Sequence, residues 1–143
     1  MTGKQLMGAY NQTMDQKGRV SFPAKFREEM GDSLTVTRGI DGCLFVYASA
    51  DFREKAEKLG KLPMAKARKL QRSFIGWACD LEPDKNGRIL IPQALRECAG
   101  LEKEIVVVGV SERAEIWSKE RWNSFNSDID DNELMDALEG LDF

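Results

Sequence analysis

Two arginines in this chain each follow a glycine and lie four residues after an aspartate, Asp15 with Arg19 in DQKGR and Asp84 with Arg88 in DKNGR. A guanidinium fork beside a turn suits phosphate oxygens, or the O6 and N7 edge of guanine when a β-ribbon enters the major groove of DNA. Alone, one such arginine is more often a surface residue paired with a neighbouring acid. Because the same three residue types recur together, we interpret Arg19 and Arg88 as a binding pair.

The two aspartates allow two interpretations. Paired carboxylates can serve as acid and base, but Asp15 and Asp84 each stand where a turn favours aspartate, which hydrogen-bonds backbone N–H groups two residues on. We favour the turn interpretation. From that position each carboxylate can also hold the arginine four residues on by a charge-assisted hydrogen bond.

Further basic residues surround the two arginines and are candidates for phosphate contacts: Lys17, Lys25, Arg27, Lys85 and Arg96. For Arg27 and Arg96 two other roles stay open. Each could form an ion pair with the glutamate that follows it, Glu28 or Glu97, or pack its side-chain stem on the helix.

The composition argues against most kinds of catalytic site. With 0 histidines the chain has no nucleophilic triad and no His-dependent metal site, and neither GxxxxGK[ST] nor GxGxxG occurs. The 3 cysteines have no CxxC spacing, so neither a disulfide framework nor a zinc site is expected. We expect no enzyme activity, no metal, no cofactor and no small-molecule substrate. No apolar run approaches the ~20 residues of a membrane span, which predicts a cytoplasmic protein without a membrane contact.

Charge is divided unevenly along the chain. The net charge is -3, yet residues 123–143 hold seven acidic residues and no basic one, which leaves 21 bases against 17 acids elsewhere. Residues 51–72 alone carry eight bases and three acids. That segment is either a solvated face or a contact with phosphate or another subunit, and the sequence leaves both open. A basic body with an acidic tail is compatible with a nucleic-acid partner despite the negative total.

The chain also repeats itself. A shift of 69 positions lays residues 15–28 on residues 84–97 with six identities, where about one is expected from average amino-acid usage. One copy alone is too short to bury a stable core, so we predict two copies with a shared core. The predicted units are a first repeat at 7–53, a basic helical linker at 54–76, a second repeat at 77–122 and an acidic tail at 123–143.

Each repeat is predicted to contain the same elements. Short runs of alternating or β-branched residues predict strands at 8–14, 19–22, 34–38 and 43–48 in the first copy and at 78–82, 88–91, 104–110 and 114–118 in the second. Pro23 and Pro92 open short helices, which Gly31 and Gly100 close.

Two helices are predicted to link the copies. The first is capped by Ser49 or Asp51 and ends near Gly60, and the second opens at Pro63. The tail after Asn126 allows either a short helix or disorder.

The pattern D-x-x-G-R-[VI]-x-[FI]-P, followed by a short helix that contains R-E, resembles the signature of the AbrB/MazE/SpoVT swapped-hairpin superfamily of DNA-binding proteins. Two copies in a chain of this length resemble the MraZ family of transcriptional regulators. The resemblance implies a mostly β fold of the α+β class: a double-split, swapped-hairpin β-barrel formed by two repeats, with helices linking and following them. Asp15 with Arg19 and Asp84 with Arg88 fall on the family's D-x-x-x-R motifs, its DNA-contact surface.

The resemblance also implies a function. Such a protein binds double-stranded DNA at short G-rich direct repeats, represses the promoter of the division and cell-wall gene cluster, assembles into a ring-shaped homo-oligomer and lies in the cytoplasm with the nucleoid. The alternative is an antitoxin-like interaction module, because the superfamily includes proteins that wrap a toxin with an acidic tail. The internal duplication opposes this alternative, since such antitoxins typically carry one copy and dimerise.

Overall fold

The computed structural model describes residues 4–142. Within that range the chain forms eight β-strands and six α-helices. The strands are β1 (Leu6–Thr13), β2 (Arg19–Ser21), β3 (Leu34–Arg38), β4 (Leu44–Ala48), β5 (Cys79–Leu81), β6 (Arg88–Leu90), β7 (Glu104–Ser111) and β8 (Arg113–Ser118). The helices are α1 (Ala24–Met30), α2 (Ser49–Leu59), α3 (Met64–Leu70), α4 (Gln93–Cys98), α5 (Lys119–Ser127) and α6 (Asp131–Glu139). A π-helical turn at Gln71–Ile75 continues α3.

The strands form two antiparallel sheets, and the two repeats are interleaved in both. The six-stranded sheet has the order β1-β7-β8-β4-β3-β5, and β2 pairs with β6 in a separate two-stranded ribbon. The first strand of each repeat pairs with the third strand of the other, β1 with β7 and β5 with β3. Equivalent strands meet in the pairs β4–β8 and β2–β6. The predicted fold class, mostly strands with short helices and two exchanged repeats, is therefore confirmed.

Both sheets contribute to one hydrophobic core. Val20 and Ile89 lie opposite each other in the β2–β6 ribbon and are fully buried. They belong to one cluster with Phe26 of α1, Leu95 of α4 and the inward-facing residues of the six-stranded sheet. Because this cluster contains residues of both repeats, it is the shared core that we predicted from the short length of one repeat.

Glycine and proline set the order of turn, strand and helix in each repeat. Gly18 and Gly87 have φ angles of +94° and +78°, a conformation that L side chains rarely adopt. Pro23 and Pro92 stand directly before α1 and α4, one position earlier than predicted. A proline there gives up no helical hydrogen bond, since the first N–H groups of a helix have no intrahelical partner.

The prediction for the start of α2 was wrong. Neither Ser49 nor Asp51 caps this helix, whose N-cap residue is Ala48 and has no side-chain hydrogen bond. Ser49 is buried, and its hydroxyl lies 2.9 Å from the hydroxyl of Thr35 in β3. Because Ser49 packs against the sheet, its hydroxyl oxygen is hydrogen-bonded to Thr35 and does not accept an N–H group of the helix.

The π-helical turn after α3 was also not predicted, because its apolar spacing resembles that of an α-helix.

The acidic tail is helical, the first of its two predicted alternatives. The hydroxyl of Ser118 accepts a hydrogen bond from the Arg121 N–H at 3.1 Å and caps α5. The carboxylate of Asp130 accepts one from the Asn132 N–H at 2.9 Å and caps α6. Both caps satisfy N–H groups that a helix leaves free at its start.

A second apolar cluster lies on the other face of the six-stranded sheet, where the helices cover it. It contains Cys43, Phe45, Tyr47, Val106, Val108 and Trp117, with Phe52, Phe74 and Trp122 packed against it. Glu115 is buried on this face, and its carboxylate accepts hydrogen bonds from the Arg113 guanidinium at 2.8 and 3.1 Å and from the Trp117 indole at 3.0 Å. The buried charge is thus paired, as it must be to be tolerated.

We expect Gly18→Ala to lower the free energy of unfolding by about 2 kcal/mol or more. A Cβ at this position would lie 2.7 Å from Arg96 Nε and 2.9 Å from the Ile91 carbonyl oxygen, both in the other repeat. Urea denaturation measures the loss. The control is Gly60→Ala, at φ -67° with no atom nearer than 3.4 Å to the new Cβ. Equal losses in the two variants would contradict the close contact between the repeats.

Candidate nucleic-acid interface

The turn before β2 is built around the Asp15 carboxylate. Its Oδ1 accepts the backbone N–H groups of Lys17 and Arg19, each at 2.9 Å, and its Oδ2 accepts the Arg19 Nε–H at 2.8 Å. The Asp15 N–H donates to the Arg19 carbonyl at 3.0 Å. The Gly18 N–H donates to the Asp15 carbonyl at 3.0 Å, and this hydrogen bond closes the turn. The predicted turn role and the predicted hold on the arginine are both present.

The second copy repeats this geometry. Asp84 Oδ1 accepts the N–H groups of Asn86 at 2.9 Å and Arg88 at 3.0 Å, and Oδ2 accepts the Arg88 Nε–H at 3.3 Å. The two copies also meet, since Arg88 Nη1 lies 4.0 Å from Asp15 Oδ2. Sixty-nine residues apart in sequence, the two motifs form one site.

The β2–β6 ribbon turns both arginines to the same face. Strand side chains alternate between faces, so the burial of Val20 and Ile89 directs their neighbours outward. Arg19 and Arg88 keep 35% and 34% of their side-chain surface exposed. Ser21 and Leu90 lie on this face too, with Leu90 55% exposed. We did not single out these last two residues from the sequence, although the same two-residue period would have identified them.

The three predicted lysines are all exposed. Lys17 and Lys85 are exposed on the two turns, and Lys25 is exposed on α1. Their ammonium groups form no ion pair within residues 4–142. Lys17 corresponds to Asn86 and Lys85 to Gln16 under the shift of 69, so the two turns carry their positive charge at different positions.

Arg27 and Arg96 brace the turns. Arg27 Nε donates to the Phe22 carbonyl at 3.1 Å, and Arg96 Nε donates to the Ile91 carbonyl at 3.0 Å. Each guanidinium reaches across to the turn glycine of the other repeat, where an added Cβ at Gly87 would lie 2.7 Å from Arg27 Cζ. Neither arginine pairs with an acid in the described part of the chain, so the ion pairs with Glu28 or Glu97 do not form.

Both turn carboxylates are stabilised in their charged form. The pKa of Asp15 falls to about 2, chiefly because the Arg19 backbone N–H donates to it, with the Arg19 guanidinium and the Lys17 N–H adding to the effect. The pKa of Asp84 is lowered mainly by the Arg88 N–H, then by the Asn86 N–H and the Arg88 charge. At neutral pH each carboxylate is therefore ionised and able to hold its arginine.

The described residues contain no helix long and apolar enough to cross a membrane. Nor do three or more His, Cys, Asp or Glu side chains within residues 4–142 come together as a metal site would require.

We expect Asp15→Asn to destabilise the fold at neutral pH, and the difference from wild type to shrink as the pH falls. The folded-state pKa of Asp15 is below its unfolded value of about 3.9, so the ionised carboxylate stabilises the fold above that value and stops doing so as the pH approaches 2. Urea denaturation of both proteins between pH 7 and pH 2.5 measures this. The control is Asp32→Asn, which removes the same charge from an exposed residue outside the turns. If both variants lose equal stability at pH 7, the role assigned to the Asp15 hydrogen bonds is wrong.

Comparison with known proteins agrees with the geometry. The model of the family described as "MraZ protein, putative antitoxin-like" matches the chain twice, over residues 5–73 and 74–141. A protein of Lachnoclostridium phytofermentans is 51% identical over 140 residues, 96% of this chain and 99% of its own. One from Thermoanaerobacter sp. (strain X514) is 48% identical over 140 residues, 95% and 98% of the two chains. One from Ligilactobacillus salivarius is 52% identical over 128 residues, 88% and 90% of the two chains.

All three relatives carry the name transcriptional regulator MraZ. The two family matches together span nearly all of the described residues, and they coincide with two interleaved copies of the same turn, strand and helix. The chain belongs to the MraZ family.

Proposed function

We propose that this protein is a sequence-specific DNA-binding transcription regulator that represses the promoter of the division and cell-wall gene cluster. The observation that carries the proposal is the outward face of the β2–β6 ribbon, where Arg19 and Arg88 stand together and each is held by a carboxylate. The names of the relatives support regulation of transcription. The operator consists of short G-rich direct repeats, as the resemblance to the family implies, and guanine offers arginine two acceptors in the major groove.

The ribbon supplies the reading element. A two-stranded antiparallel ribbon fits the major groove, with alternate side chains directed at the base edges. Arg19 and Arg88 contact guanine or phosphate, and their aspartates restrict them to one orientation, which reduces the side-chain entropy lost on binding. Leu90, exposed on β6 opposite Arg19, is placed to contact a thymine methyl group.

The surrounding bases supply phosphate contacts. Lys17, Lys25 and Lys85 are exposed and without acidic partners in the described chain, so binding DNA does not require an ion pair to break. Arg27 and Arg96 hold the turns and present their remaining N–H groups to the same backbone. Each such contact releases counterions and makes the affinity fall with salt.

Several copies act together in a ring-shaped homo-oligomer. One ribbon covers few base pairs, so a single chain binds weakly. Linking several weak sites turns each further contact into an intramolecular event and raises the overall affinity. Direct repeats in the operator match such an array, since each repeat meets one copy in the same orientation.

The cellular location follows from this function: the protein acts in the cytoplasm, at the nucleoid. The proposed units of the chain are the two repeats at 7–53 and 77–122, the linker at 54–76 and the tail at 123–143.

An antitoxin-like interaction module is the second candidate. The family description uses that term, and α6 is an acidic helix with exposed leucines. We expect purification from the native host to yield a homo-oligomer of this chain alone. A small protein that accompanies it in stoichiometric amount through size-exclusion chromatography would favour the antitoxin instead.

We expect Arg19→Ala to weaken binding to the DNA upstream of the protein's own operon by about tenfold or more, and to reduce the preference over scrambled DNA. Lys25→Ala should weaken binding to the operon DNA and to the scrambled DNA equally, because phosphate contacts carry no sequence information. Gel-shift titrations at several salt concentrations measure affinity and salt dependence.

The control for these titrations is Lys119→Ala, which removes an ammonium group of α5 that donates to the Asn11 amide oxygen of β1 at 3.0 Å. Wild-type protein that shows no preference for the operon DNA at low salt would refute the proposed function. Full binding by Arg19→Ala would refute only the assignment of the site.

A further inference from the structure

We propose that α6 of one copy docks on the exposed basic surface of α2, α3 and the π-helical turn of a second copy. We call residues 51–77 of that receiving copy the linker surface. The inference rests on the proposed self-association and adds the two surfaces that meet.

The apolar side of α6 has no cover within residues 4–142. Every residue from 131 to 142 is exposed, including Leu134, Met135, Leu138 and Leu141, which are 38–71% exposed. Leu134 and Leu138 are one helical turn apart on the same face of α6, and Leu141 follows in the turn after the helix. A helix of nine residues is shorter than the ~12–15 that make an isolated helix even marginally stable in water, so α6 needs a packing partner.

The charge of α6 defines the chemistry of that partner. Residues 123–143 contain seven acids and no base. None of these acids forms an ion pair within the described chain. A nucleic acid would be repelled, and an acidic protein surface likewise. The partner must combine positive charge with exposed apolar side chains.

The linker surface has both properties. It carries eight bases and three acids. Lys58, Lys61, Lys66, Arg68, Lys69 and Arg72 make no ion pair in the described residues. Among these bases Met64 is 77% exposed, and Leu62, Ile75 and Trp77 are 37–38% exposed.

A cavity beside this surface can receive an apolar side chain. It measures about 160 Å³, opens partly to solvent, and lies between α2, the π-helical turn and the sheet. Its walls are mostly apolar, formed by Phe45, Tyr47, Phe52, Ala56, Leu59 and Phe74, and Thr37 and Lys55 complete them. Since a cavity of roughly 150 Å³ holds a benzene-sized group, one leucine of α6 fits here.

The acidic helix meets another copy rather than its own linker surface. Residues 128–130 alone join α6 to α5, which packs on β7 and β8, whereas α2 packs on β3 and β4. A short connection to a packed helix keeps α6 near the second repeat. Because the donor helix and the receiving surface are different patches of the chain, we take the contact to run head to tail, the type of interface that generates the proposed ring.

A charge-swap experiment tests the contact in the full chain. One variant carries Asp136→Lys with Glu139→Lys on α6, and the other carries Lys61→Glu with Lys66→Glu on the linker surface. We expect each alone to self-associate about tenfold or more weakly than wild type, measured by sedimentation equilibrium. An equal mixture of the two variants should associate again. The basic α6 of the first variant then meets the acidic linker surface of the second, and the unchanged acidic α6 of the second meets the unchanged basic linker surface of the first.

A matched control is Glu28→Lys with Glu29→Lys on α1, which makes the same charge change on exposed residues elsewhere and should leave self-association unchanged. The proposal is overturned if either swap variant associates like wild type, if the mixture stays dissociated, or if wild type is a monomer. A monomer with a separate protein bound to α6 would assign the helix to another partner.

The gel-shift titrations separate this inference from the proposed function. If the swap fails while wild type still requires Arg19 to prefer its operon DNA, only the docking surface is wrong. If the swap succeeds while wild type shows no DNA preference, the contact between copies stands and the proposed DNA-binding function falls.

Discussion

The close approach of each turn glycine to an arginine of the other repeat is the contact on which the rest of the structure depends. Gly18 lies against Arg96, and Gly87 against Arg27, with no room for a Cβ at either position. Each arginine also holds the strand end of its own repeat through a backbone carbonyl. The two repeats therefore pack against one another's turns, which the Asp15 and Asp84 carboxylates close within each repeat.

This reciprocal bracing determines what the ribbon can present. Since the turns are held from the opposite repeat, the short strands β2 and β6 pair with Val20 and Ile89 buried and the intervening residues outward. The aspartates then orient the arginines with hydrogen bonds that stabilise the carboxylates at the same time. The turn residues and the aspartates, whose role is mainly structural, thus hold two guanidinium groups in place on one surface.

Positive and negative charge are concentrated on different elements of the molecule. Positive charge gathers on the ribbon and its turns, where the aspartates are already paired, and on the linker surface, where few acids oppose it. Negative charge gathers on α6, and within the described residues none of its acids pairs with an arginine of the ribbon. With a net charge of -3, the molecule can still offer a local positive field, because the Debye length at physiological salt, about 8 Å, screens distant charges.

The amino-acid sequence by itself determined the repeat, most elements and the turn chemistry. Asp15 and Asp84 bind the backbone N–H groups two and four residues on, and such local hydrogen bonds depend only on neighbouring residues. The sequence could not show that Arg27 braces Gly87, because that contact joins residues sixty positions apart through the strand exchange. Likewise Ser49 matched a helix cap in sequence, but its burial beside Thr35 gave its hydroxyl another partner. Only the tertiary structure decided these cases, since packing chooses among side-chain partners that local sequence leaves equivalent.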